Sequence, residues 1–118
     1  MTDALRLPVR SENATLVLRP EGELDVNTAA QLQAWLDDYL ARGPRPATLV
    51  DLSGLTFVDS PGLAALLAMR RRLTGEGRAV AYADPTPQPA RLLRITGLAA
   101  NLPVFETLHE ALRSLDAR

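Results

Sequence analysis

Hydrophobic positions along this chain change period several times, and each change marks an element. Leu5, Leu7 and Val9 alternate with Arg6, Pro8 and Arg10, the period of a strand with one face buried. Pro8 has no N–H to give a ladder, so this strand belongs at a sheet edge. Ser11-Glu12-Asn13 reads as a turn, and Thr15 to Arg19 as a second strand antiparallel to the first. Gly22-Glu23-Leu24-Asp25 then leads from that strand to a helix capped by Asn27 or Thr28. Ala29, Leu32, Leu36 and Leu40 recur at helical spacing, with Trp35 and Tyr39 flanking the stripe. Gly43 is placed to stop the helix, and Pro44 and Pro46 stiffen the connection that follows.

From Ala47 to Leu52 the chain is apolar except at Thr48 and Asp51, as befits a central strand covered on both faces. After a polar turn, Asp59-Ser60-Pro61-Gly62 opens a helix running from Pro61 to about Leu73. Ser60 is the expected cap, and Pro61 takes the first helical position, where its missing N–H costs nothing. Arg70-Arg71-Arg72 lie near the end of that helix, and Arg78 to Ala83 form a strand with Val80 and Tyr82 on one face. This strand–helix–strand unit predicts a right-handed parallel crossover. Arg91 to Thr96 make a short helix ending at Gly97, and Pro103 to Phe105 a brief strand. Thr107-Leu108-His109-Glu110 is a capping box for a last helix carrying Leu108, Ala111, Leu112 and Leu115 on one face. The order of elements predicts an α/β fold, a mixed four- to five-stranded sheet flanked by about four helices, as a single domain over residues 1–118.

Composition narrows the chemistry. A chain of 118 residues suits one domain and buries roughly two thirds of its unfolded surface. Its net charge of −1 provides no broad field for nucleic acid or an anionic membrane. There is no cysteine, and all 13 basic residues are arginine, so thiolate chemistry, a P-loop lysine and a Schiff base are excluded. The longest apolar stretch, Leu63 to Met69, is too short to span a bilayer. Met1-Thr2-Asp3-Ala4 leads straight into the first alternation without a leader pattern, and the expected compartment is the cytoplasm. His109 is the sole histidine and lies off the apolar stripe of its helix, so neither a triad nor an imidazole metal site can be assembled. No catalytic residue, metal site or cofactor is assigned.

The turn at Asp59 to Gly62 carries the main functional signal. A capped helix start is its simplest meaning, yet the free N–H groups and positive dipole end there also suit an anion. It lies just past the carboxyl end of the central strand, where open α/β sheets place their sites, and the Gly22–Asp25 segment approaches the same rim. Glu23, Asp25, Asp51 and Asp59 could gather there around Mg²⁺, as in receiver domains, but receivers pair such acids with a lysine. Turn and cap acceptance is the simpler use of these side chains. Arg70, Arg71 and Arg72 either complement the helix C-terminus or form a basic docking patch. Trp35 and Tyr39 belong to the edge of the core.

Five segments stand in a familiar order and spacing. They are Gly22-Glu23-Leu24-Asp25 before a helix, Val50-Asp51-Leu52-Ser53-Gly54-Leu55, Phe57-Val58-Asp59-Ser60-Pro61-Gly62-Leu63, Ile95-Thr96-Gly97-Leu98, and Phe105-Glu106-Thr107-Leu108-His109-Glu110-Ala111-Leu112. From about Thr15 onward the chain resembles STAS domains, best known in bacterial anti-sigma-factor antagonists. The resemblance implies a mixed sheet flanked by helices and a phospho-acceptor directly before the glycine of the turn. It also implies a partner, an anti-sigma factor of the histidine-kinase-like ATPase type, whose capture frees a sigma factor for transcription. Phosphorylation of the turn would add about −1.5 to −2 charges and eject that partner.

Asp25, Asp59, Ser60, Gly62 and Leu63 match the family motif, but Pro61 stands at the acceptor position and has no hydroxyl. Either partner binding proceeds without the usual switch, or Ser60 is modified instead. A cap role for Ser60 and the rigid ring beside it argue against modification. The expected partner-binding residues are Glu23, Asp25, Asp59, Ser60, Pro61, Gly62, Leu63 and Arg70. The alternative within the same fold is a small STAS subunit of an ABC-type lipid transporter or other membrane ATPase.

Overall fold

Thr48–Asp51 is buried at every residue and forms the middle strand of a five-stranded sheet, as its apolar run requires. A computed structural model describes residues 5–43 and 47–117. The N-terminal Met1-Thr2-Asp3-Ala4 and the stiff connection expected at Pro44 and Pro46 lie outside the described residues. The elements are β1 (Val9–Glu12), β2 (Thr15–Leu18), β3 (Gly22–Leu24), α1 (Ala29–Ala41), β4 (Thr48–Asp51), β5 (Leu55–Val58), α2 (Ser60–Gly75), β6 (Val80–Ala83), α3 (Pro87–Ile95), β7 (Val104–Phe105) and α4 (Leu108–Asp116).

The main sheet runs β1-β2-β4-β6-β7. Its first pair is antiparallel and the rest parallel, with Val50 opposite Leu18 on one side and Tyr82 on the other. β1 is an edge strand, as Pro8 requires, but regular pairing begins only at Val9, after an isolated antiparallel bridge between Arg6 and Glu21. The hairpin turns two residues later than expected. Ser11 and Glu12 remain in the strand, and Asn13 takes the left-handed backbone that asparagine tolerates.

Alternation along β4 and β6 divides the core between two faces. Val50, Val80 and Tyr82 face the layer formed with α1 and α2, whereas Leu49, Ala81 and Ala83 face α4. The small side chains of Ala81 and Ala83 admit α4 closely enough to bury Ala111 completely. Tyr82 lies inside the first layer and donates its hydroxyl to the Leu66 carbonyl at 2.7 Å. Burial pushes that hydroxyl well above the usual tyrosine range, against a smaller opposing pull from Arg70. Trp35 stacks on the buried Tyr39 with ring centroids 5.0 Å apart, so both belong to the core edge as expected.

Two strands escape the periodicity. Gly22–Leu24 and Leu55–Val58 pair with each other in parallel as a separate two-stranded sheet, β3–β5. Gly22-Glu23-Leu24-Asp25 is therefore a strand and a turn, not merely the route from β2 into α1. Three residues hold too few alternations to announce a strand. Their pairing is set instead by a chain segment more than thirty residues away. The third helix also begins earlier than its apolar pattern suggests, at Pro87, where Thr86 and Pro87 provide the start signal.

Candidate functional site

The turn after β5 is organised by Asp59, not by Ser60. Asp59 is the N-cap of α2: one carboxylate oxygen accepts the Gly62 N–H at 2.8 Å and the other the Val26 N–H at 3.0 Å. Its own N–H donates to the Leu24 carbonyl at 3.3 Å. One side chain thus joins the start of α2 to the loop that follows β3. This corrects the sequence expectation that Ser60 caps the helix. Ser60 is the first helical residue and Pro61 the second. Aspartate caps as well as serine does, so the local pattern that pointed to Ser60 suits Asp59 one residue earlier equally well.

As a result, the Ser60 hydroxyl is exposed and has no hydrogen-bond partner among the described residues. The Ser60 oxygen is therefore not committed to a cap bond, contrary to the sequence expectation. Gly62 has a steric role. A Cβ there would collide with the Leu24 carbonyl, so α2 approaches β3 closely only because that side chain is absent. Leu63 is buried in the core behind the turn.

The facing loop is equally well tied. One Asp25 carboxylate oxygen accepts the N–H groups of Asn27 at 2.9 Å and Thr28 at 3.1 Å. Thr28 is the N-cap of α1 but places no side-chain bond on the helix. Its hydroxyl donates to the Glu23 carbonyl at 2.8 Å and accepts the Asp25 N–H at 3.0 Å. Behind the rim, the Gln88 amide pairs with both the N–H and the carbonyl of Val58, at 2.9 and 2.8 Å, as a neighbouring strand would. Gln88 carries no periodic or motif signal, and only the docking of α3 on β5 reveals its role.

Of the residues expected at the site, Glu23, Asp25, Asp59, Ser60, Pro61, Gly62 and Leu63 are brought together on adjoining segments. Asp51 is not one of this group. It caps the short 3₁₀ turn after β4 by accepting the Ser53 N–H at 3.0 Å and lies 3.7 Å from Arg19. Arg70 is also elsewhere, ten residues into α2 and so about 15 Å along it from Ser60. Arg72 is paired with Asp37 of α1 at 2.7 Å. No group of three or more acidic, histidine or cysteine side chains among the described residues is arranged to hold a metal.

Two exposed apolar residues border the rim without having been singled out in the sequence. Val26 is 66% exposed beside the Asp59 clamp, and Phe57 is 39% exposed opposite Glu23 in the β3–β5 pair. No feature of the local pattern distinguishes them from core residues. Their exposure follows from the short second sheet.

A five-stranded mixed sheet with four helices, and a clamped turn opening α2, is the architecture of a STAS domain. Residues 6–111 match that family, and the chain belongs to it. Among curated relatives, the anti-sigma-F factor antagonist RsfB of Mycobacterium tuberculosis is 33% identical, covering 93% of this chain and 88% of its own. The anti-sigma F factor antagonist of Paenibacillus polymyxa is 28% identical over 95% of this chain and 96% of its own. Among solved structures, an anti-sigma factor antagonist from Mycobacterium paratuberculosis superposes with a TM-score of 0.84 at 29% identity, covering 96% of this chain and 95% of the other.

Proposed function

We propose that this protein is an anti-sigma-factor antagonist, a regulatory binding module without catalytic activity that acts in the cytoplasm. The proposed docking surface is the rim formed by the Asp59–Gly62 turn and the Glu23–Val26 segment, the end of β3 and the loop after it. The observation that carries this reading is the double acceptance at Asp59, which fixes two sequence-distant segments as one surface. A surface already ordered in the free protein loses little conformational entropy on binding. Val26 and Pro61 offer exposed apolar area there, with Glu23 and Ser60 as its polar neighbours.

The partner is an anti-sigma factor of the histidine-kinase-like ATPase type, and its capture releases a sigma factor for transcription. Pro61 removes the acceptor oxygen used by relatives of the resembled type, so the usual switch is absent. Control by phosphate, where it operates, falls on the free hydroxyl of Ser60. A phosphate there would add about two negative charges beside Asp59 and oppose docking.

The test is a pull-down from native cell extract with wild type, Ser60→Ala and Pro61→Ser, followed by phosphosite mapping. Wild type is expected to capture a kinase-like anti-sigma factor. Pro61→Ser is expected to gain phosphate at position 61 and to lose the partner as it does so. Capture of transporter components instead would overturn the proposal.

A further inference from the structure

A cleft of about 320 Å³ lies between the later turns of α2, the start of β6 and the end of α4, away from the Asp59 rim. Arg70 and Arg78 are the only ionisable side chains among the residues lining it. The two arginines differ in how they are held. Arg78 is 8% exposed and fixed in place: Nη2 donates to the Gly43 carbonyl at 2.8 Å and lies 3.2 Å from Glu76, and the guanidinium sits over the Tyr39 ring. Its Nη1 is buried without a hydrogen-bond partner among the described residues. Arg70 is half-buried, its guanidinium makes no hydrogen bond or ion pair with any described residue, and its Nε is shut off from solvent.

The sheet adds a backbone donor to this cleft. Ala79 offers its carbonyl to Thr48 on β4, whereas Tyr82 and Asp84 donate their N–H groups to Pro103 and Phe105 on the other side. Alternation therefore turns the Val80 N–H towards the β7 side, but β7 begins only opposite Tyr82. Val80 thus presents its N–H at an open sheet edge within the cleft. Ser114 of α4 stands on the cleft wall, with its hydroxyl unused among the described residues.

We propose that this cleft binds a small oxyanion-bearing molecule, a phosphate or carboxylate compound, held by the Arg70 guanidinium and the Val80 amide beside the fixed charge of Arg78. A guanidinium presents five N–H donors in a planar fork that matches an oxyanion in two-pronged fashion. Water can occupy such a cleft, but it does not neutralise the Arg70 guanidinium, whereas Arg78 already has Glu76 beside it. The volume suits a small ligand. Arg70, expected from sequence to serve the partner surface, is assigned to this second site, which stands whether or not the partner proposal holds.

The experiment is an NMR titration of the full chain with inorganic phosphate and, separately, with acetate, at constant ionic strength. Saturable shifts are expected at the Val80 amide and the Arg70 Nε–H, with the amides of the Asp59 turn unmoved. Arg70→Gln should weaken binding about tenfold, as loss of a charge-assisted hydrogen bond predicts. Ser114→Ala, which disturbs no packed charge, serves as a second variant and should weaken it a few-fold or less. Saturation by phosphate alone assigns a phosphorylated ligand, and saturation by acetate alone a carboxylate. Failure of both anions to saturate, or unchanged affinity in a folded Arg70→Gln variant, would overturn the proposal.

Discussion

Asp59 and Ser60 are neighbours with opposite duties, and the difference is one of geometry. Asp59 is in extended backbone before the helix, where both carboxylate oxygens reach backbone N–H groups. Ser60 is already helical, with its hydroxyl facing outward. Asp59→Asn would replace one acceptor oxygen with a donor aimed at another donor. We expect a loss of about 1–2 kcal/mol and faster hydrogen exchange at the Val26 amide. Urea denaturation with an unchanged slope and a lower midpoint would bear this out, and an unchanged midpoint would contradict the clamp.

At the scale of elements, the junction between β3, β5 and α2 builds the rim. Gly62 lets α2 lie against the Leu24 carbonyl, and Gln88 closes the open edge of β5. Gly62→Ala should therefore destabilise the protein by about 1–3 kcal/mol through forced displacement of helix from strand. Gly75, at the other end of the same helix, has open space where a Cβ would stand. Gly75→Ala should be neutral or stabilising by about 0.5–1 kcal/mol. Thermal melting of the pair separates close approach from general helix propensity. Equal effects at the two positions would refute the steric account of Gly62.

For the whole molecule, an alkaline titration is unusually simple to interpret. The chain contains no lysine or cysteine and two tyrosines, so few groups change charge just above neutrality. Tyr82 has its hydroxyl raised by burial, so the folded protein retains that proton where the unfolded chain has released it. Its contribution is fully present below about pH 10 and is lost as pH rises, by about 1.4 kcal/mol per pH unit. Denaturation measured at stepped alkaline pH should show that slope, and Tyr82→Phe should remove this part of it. A wild-type slope identical to that of Tyr82→Phe would place the hydroxyl in contact with solvent.

The central strand, α1, α2 and α4 could be read from sequence because each carries its own period and its own stop signals. Leu49 and Val50 announce burial on both faces, Gly43 ends α1 in left-handed backbone, and Thr107 does cap α4 through the Glu110 N–H. The family motif was equally legible, since a linear pattern of residue types survives in sequence. Tertiary structure decided whatever depended on distant partners. β3 and β5 are too short to be strands without each other, and the cap passed to Asp59 because its second oxygen meets Val26 across the fold. Arg70 directly follows the core residue Met69 on α2, yet the role proposed for it depends on where β7 begins and leaves Val80 open. Local periodicity records which face of an element is buried, whereas the packing of one element on another determines which polar groups are left unpaired.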